Sequence, residues 1–155
     1  MKFIIRDSRP VSVPGTSVDA AVPGDSPAAL YRFFRDVVEA EPTFEPDKEL
    51  LVVVCLNTRL VMKGWHVVSL GSLNECLAKV REVLRPVLLT GSYGFALVHN
   101  HPSGDPSPSE ADRRFTRRID EAAQMMELRF LDHVIVGMLA LGGAPYFSFR
   151  EAGMI

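Results

Sequence analysis

His99 and His101 stand one residue apart in the stretch HNHPSGDPSPSEAD, and Asp112 closes it. Two imidazoles and a carboxylate are a donor set that holds zinc while leaving one position open for chemistry. Phe95 to Val98 reads as a short strand running straight into His99. On a strand, residues i and i+2 point to one side, so the two histidines can converge while Asn100 faces away. Ten residues separate His101 from Asp112, and Pro102, Gly104, Pro106 and Pro108 restrict that loop. The loop delivers Asp112 to the first turn of a helix, three residues before the apolar Phe115, and so turned inward over a sheet. Each part alone has a simpler account. A histidine at a strand end is an ordinary boundary residue, and Ser109-x-x-Asp112 is an ordinary capping box. Those accounts leave the second histidine, its same-face spacing and the dense loop unexplained.

Other metal patterns fit less well. A zinc deaminase needs Glu where His101 stands, and a Pro-Cys-x-x-Cys that is absent. The helical HExxH pattern is missing. An HxHxDH site would need Asp and His where Ser103 and Gly104 stand.

The elements that must position these residues follow from periodicity. ELLVVVCL, residues 49–56, is a continuous apolar run and predicts a central strand covered on both faces. A second strand is expected at about 60–70, another at Leu131 to Val136, and a last short one at Tyr146 to Phe149. Ser26 and Pro27 start a helix whose stripe is Leu30, Phe34, Val37 and Val38, and Pro42 ends it. Residues 72–91 predict a helix with Ser72 and Glu75 as its capping box, kinked or split at Pro86 and stopped at Gly91. From Ser109 a further helix follows, with Phe115, Ile119, Ala122 and Met126 on its buried face. Alternating strands and helices give an α/β, or mixed α+β, class with helices packed on a sheet. Residues 7–27, rich in Pro, Gly and Ser, read as an extended arm, tacked down by a short strand at Lys2 to Arg6.

With 155 residues the chain can form one well-cored domain and not two ordinary ones. A net charge of −2 gives no whole-chain argument for nucleic acid or an anionic membrane. Cys55 and Cys76 form no CxxC and cannot make a disulfide framework, which fits a reducing, cytoplasmic setting. The apolar run Leu50 to Leu56 is too short to span a membrane, which needs roughly 20 residues. The first residues, MKFIIRDSRP, do not read as a secretory signal.

His99-x-His101, seven residues, Ser109, two residues, Asp112 resembles the JAMM (MPN-plus) metalloprotease motif. The wider text resembles the bacterial RadC-like JAB domains, with HNHPSGDPSPSEAD, LDHVIVG at 131–137 and YFSFREAG at 146–153. The likeness spans about residues 26–153 and implies a single JAB/MPN-type domain over 26–155, preceded by an arm at 1–25. The implied architecture is a mixed central sheet flanked by helices, similar to that of cytidine deaminases. The resemblance implies one zinc per chain on His99, His101 and Asp112, activating a water for amide hydrolysis. It makes Glu49, ahead of LLVVVCL and Asn57, the general base, a choice that spacing alone leaves open among Glu41, Glu45, Glu49, Glu75 and Asp132. It gives Ser109 the oxyanion. The implied activity is peptide or isopeptide hydrolysis on an unidentified protein or peptide.

Two other readings stay in view. One is a metal-stabilised binding module for DNA or repair proteins, without turnover, and the other a hydrolase of small amides. Proteins of this branch usually carry a helix-hairpin-helix region ahead of the domain, where this chain has the arm, so a nucleic-acid role is not favoured. Arg113, Arg114, Arg117 and Arg118 read first as a solvated helix face. His133 reads as a structural histidine, and Trp65 as packing. Oligomeric state is silent.

Overall fold

The computed structural model describes residues 2–6, 9–12, 22–71, 78–137 and 144–155. In chain order the elements are β1 (Phe3–Arg6), β2 (Arg9–Ser12), α1 (Pro27–Phe33), β3 (Glu49–Leu56), β4 (Met62–Gly71), α2 (Val80–Leu89), β5 (Gly94–Asn100), α3 (Glu110–Met125), β6 (Arg129–Val136) and β7 (Tyr146–Ser148).

Five strands form one sheet in the order β4-β3-β5-β6-β7. Only the β5–β6 pair is parallel, so the sheet is mixed, as the α+β class requires. β3 is buried at all eight positions, and its alternating side chains feed two cores. Leu50, Val52, Val54 and Leu56 pack with Leu30, Phe33 and Phe34 of the first helical segment. Leu51, Val53 and Cys55 pack with Val83 and Val87 of α2 and Ile119 and Ala123 of α3. Burying each such Val or Leu contributes about 1.5–3 kcal/mol, so this run alone commits β3 to the centre.

Ser26 caps α1 by accepting the Ala29 N–H at 3.3 Å, with Pro27 opening the helix. The helix then widens into a π turn over Phe34–Val38, four residues before Pro42. α2 runs unsplit through Pro86. The hydrogen bond that this proline forgoes would have gone to Glu82, an exposed position whose carbonyl water can serve. Gly91, at φ +55°, supplies the left-handed turn that ends α2. The Ser72–Glu75 box lies outside the described residues.

The buried face of α3 is Asp112, Thr116, Ile119 and Ala123: Asp112 and Ile119 lie inward as expected, while Thr116 and Ala123 take the places expected for Phe115 and Ala122. Phe115 and Ala122 only flank it, and Met126 is 47% exposed. The reason is chemical: the helix turns two polar residues inward because they belong to the site. Most of the expected arm, residues 7–8 and 13–21, lies outside the described residues. β1 pairs antiparallel with β2, placing residues 9–12 in a hairpin, and Lys2 bridges to Trp65. Trp65 itself is buried against Phe33 with ring centres 5.8 Å apart.

Candidate metal centre

Glu49 is the first residue of β3, and His99 lies opposite Leu51 on the neighbouring β5. Pairing two residues further along puts the Glu49 side chain on the same face as His99. The β3–β5 ladder ends at the Leu51–His99 pair, and beyond it Asn100 links the two strands. Its Oδ1 accepts the Leu50 N–H at 2.9 Å, and its Nδ2 donates to the Lys48 carbonyl at 3.0 Å. Asn100 faces away from the histidines, as its spacing requires, and from that side it pins the backbone on both flanks of Glu49. Its position between two histidines at a strand end was the available signal.

Four side chains converge: Glu49, His99, His101 and Asp112 each offer an atom, all within 4.8 Å of one another. His99 Nε2 lies 3.0 Å from His101 Nε2, 3.5 Å from Asp112 Oδ1 and 3.4 Å from Glu49 Oε1. His101 Nε2 lies 3.5 Å from Asp112 Oδ2. Ligands held at about 2.0–2.1 Å around a tetrahedral zinc stand roughly 3.3 Å apart, so these separations fit the edges of such a site. The donors fit as well. His101 Nδ1 is 2.8 Å from the Asp105 carbonyl, which can only accept, so the neutral ring carries its hydrogen there and turns a lone pair inward at Nε2. This buried group could bind a metal ion.

Ser109 and Asp112 form the capping box of α3 and belong to the cluster at once. Asp112 Oδ2 accepts the Ser109 N–H at 2.8 Å and the Ser109 hydroxyl at 2.5 Å, while Oδ1 faces His99. The cap and the donor set are one device.

Electrostatics separate the four. Burial raises Glu49 above the ordinary carboxylate range, with His101 opposing and Asp112 adding to the rise. Burial works against the Asp112 charge too, but His101, His99 and the Ser109 donors outweigh it and hold the carboxyl well below its usual value. Burial also pushes His101 down, yet Asp112, the Asp105 carbonyl and Glu49 hold it above 6.5. His99 goes the other way, kept neutral by burial and by His133.

A second set of residues stands behind the cluster. His133 is buried, with Nε2 2.8 Å from His99 Nδ1 and Nδ1 2.6 Å from Thr116 Oγ1. Its ring stacks on Phe149 at 5.1 Å. Asp132 Oδ1 accepts the N–H groups of His133 and Arg150 at 2.7 and 3.0 Å, and Oδ2 accepts the Ser148 hydroxyl at 2.6 Å. LDHVIVG and YFSFREAG are therefore one unit: Asp132 joins the two segments and His133 supports His99. Gly137 ends the first of them because a Cβ there would meet the Gly104 carbonyl and the Pro106 ring at 2.7 Å. The histidine loop rests on that bare backbone. Thr116 was legible only as a position four residues after Asp112 on one helix face.

A cleft of about 90 Å³ opens beside His101, walled by the ion pair of Arg35 and Glu39 (2.8 Å) and by Phe44, Pro46 and Gly137. Arg114, Arg117 and Arg118 lie exposed along α3, and Arg113 pairs with Glu110 at 3.6 Å. Among the described residues no helix is long and apolar enough to cross a membrane.

Comparison with known proteins meets the same segments. The RadC-like JAB domain model matches residues 25–154. A UPF0758 protein of Thermotoga maritima is 36% identical over 129 residues, covering 83% of this chain and 53% of the relative. One from Pelodictyon phaeoclathratiforme is 40% identical over 123 residues, 78% of this chain and 53% of the relative. One from Methanosarcina barkeri is 36% identical over 111 residues, 72% of this chain and 46% of the relative. The chain spans about half the length of the curated relatives it matches. It belongs to the RadC-like JAB domain family.

Proposed function

We propose that this member of the RadC-like JAB family is a zinc-dependent hydrolase of peptide or isopeptide bonds, with His99, His101 and Asp112 as ligands and Glu49 as general base. The observation that carries the reading is the cluster itself: donor atoms spaced 3.0–3.5 Å apart around His99 Nε2, with a buried glutamate among them. Bound zinc would supply a Lewis acid for the scissile carbonyl and lower the pKa of water towards 7.

The residues then divide the work. Glu49, held by the Asn100 clamp and raised by burial, takes the proton of the attacking water and hands it to the leaving amine. Asp112 stays ionised, held by two Ser109 donors, so it can share the positive charge of the metal. Ser109 is assigned the developing oxyanion. Rotating its hydroxyl off Asp112 frees it for that contact, while the Ser109 N–H keeps Asp112 in place. The cleft beside His101 admits a substrate backbone between the Arg35–Glu39 pair and the histidine loop.

The test is metal content of the purified protein by mass spectrometry, followed by a peptide and isopeptide library screen. About one zinc per chain, lost in His101→Ala, and turnover lost in Glu49→Gln with the zinc retained, are the expected results. No metal after reconstitution with zinc would overturn the reading.

A further inference from the structure

Thr116 Oγ1 owns one hydrogen and stands within bonding distance of two acceptors, the Asp112 carbonyl at 2.7 Å and His133 Nδ1 at 2.6 Å. The carbonyl can only accept, whereas His133 Nδ1 accepts or donates according to its tautomer. The choice propagates. If the hydroxyl points at His133, then His133 Nε2–H donates to His99 Nδ1 across 2.8 Å, and His99 carries its own hydrogen on Nε2, facing His101 Nε2 at 3.0 Å. If the hydroxyl points at Asp112, then His133 Nδ1–H donates to Thr116, His99 Nδ1–H donates to His133, and His99 Nε2 turns a bare lone pair on the cluster. From Thr116 Oγ1 to His99 Nδ1 each hydrogen has an acceptor in either direction, and only His99 Nε2 is left bare in the second. His101 stays the same in both, since the Asp105 carbonyl takes its Nδ1–H.

We infer that Thr116 and His133 are positioning residues forming a reversible hydrogen-bond chain onto His99, directed toward the cluster without a metal and away from it with one. The inference rests on the proposed metal site. Without a cation and with His101 neutral, as alkaline pH makes it, two lone pairs 3.0 Å apart repel, and the His99 Nε2–H that separates them requires the first direction. With a cation both Nε2 atoms must be bare, which requires the second. Each group holds one proton in both states, so the reversal carries no net charge. His99 and His133 exchange an Nε2 proton for an Nδ1 proton with solvent, and Thr116 only rotates its hydroxyl. The switch is thus written on a histidine that never touches the metal.

Imidazole ¹⁵N NMR of the full chain at pH 8, before and after one equivalent of zinc, reads it directly. The expected result is His133 as the Nε2–H tautomer without zinc and the Nδ1–H tautomer with it. Zinc bound at one per chain with His133 unchanged in tautomer would overturn the relay and leave the metal site standing. No zinc bound would overturn both. Thr116→Ser keeps the hydroxyl and should keep the switch. Thr116→Val keeps the shape but strands the His133 Nδ1–H that the second direction needs, and should weaken zinc binding about 10–100-fold in competition with a chromophoric chelator. Thr116→Val binding zinc like the wild type would also overturn it.

Discussion

The cluster has an open side and a closed side, and each carries a histidine and an aspartate. On the open side His101 is raised and Asp112 is held low, because the two face each other and Ser109 adds donors to the carboxylate. On the closed side His133 is driven down to about 4 by burial, and burial raises Asp132 despite three hydrogen-bond donors. The residue types are the same and the proton affinities run oppositely. Opposed charges within reach favour the ionised forms, while burial that outweighs the nearby charges works against them. The open side could hold a cation, and the closed side holds backbone.

Substitutions on the two sides should therefore fail differently. On the open side, His101→Ala should lose zinc almost completely, by more than about a hundredfold in affinity, with a urea midpoint close to wild type. Loss of the fold instead would erase the distinction. On the closed side, Asp132→Ala strands the Ser148 hydroxyl and two N–H groups and should cost about 3–5 kcal/mol in urea unfolding. A cost below about 1 kcal/mol would mean that water replaces the carboxylate there.

Acid should open the closed side first. His99 and His133 have folded-state pKa values below the unfolded 6.5, so the stability they contribute is complete above 6.5 and is lost as pH falls below it, for His133 towards 4. For His133 alone that loss is roughly 3 kcal/mol in chelator-treated protein. Denaturant midpoints flat from pH 7 to 4 would contradict it. The smallest effect sharpens the contrast within one residue: Ser109→Ala should cost about 1–2 kcal/mol as a lost cap, and zinc affinity should fall with it because Asp112 loses a donor. A stability loss with unchanged affinity would separate the cap from the donor set.

Much of this was legible in order along the chain. The run 50–56 announces a central strand because nothing but burial on both faces accommodates seven such residues. The spacing of His99, His101, Ser109 and Asp112 announces a cluster because strand and helix periodicities are short-range and robust. The buried face of α3 was placed correctly at Asp112 and Ile119 and one position off at Thr116 and Ala123, for an instructive reason. Apolar residues mark a buried face only when that face is apolar, and here Asp112 and Thr116 occupy it. Asn100 was visible as a residue facing away, and nothing local could say that its amide would bracket Glu49 by binding Lys48 and Leu50.

What the sequence determined by itself was the element order, the doubly covered strand and the cluster's donors, since each depends on neighbours within a turn or a strand. The choice of Glu49 among several acidic residues came from likeness to a family, and only the β3–β5 pairing places it beside His99. The closed side was decided by tertiary structure alone. Whether a histidine is ligand, support or bystander depends on which groups face its two nitrogens, and the sheet brings those groups together from β5, α3, β6 and the C-terminal segment.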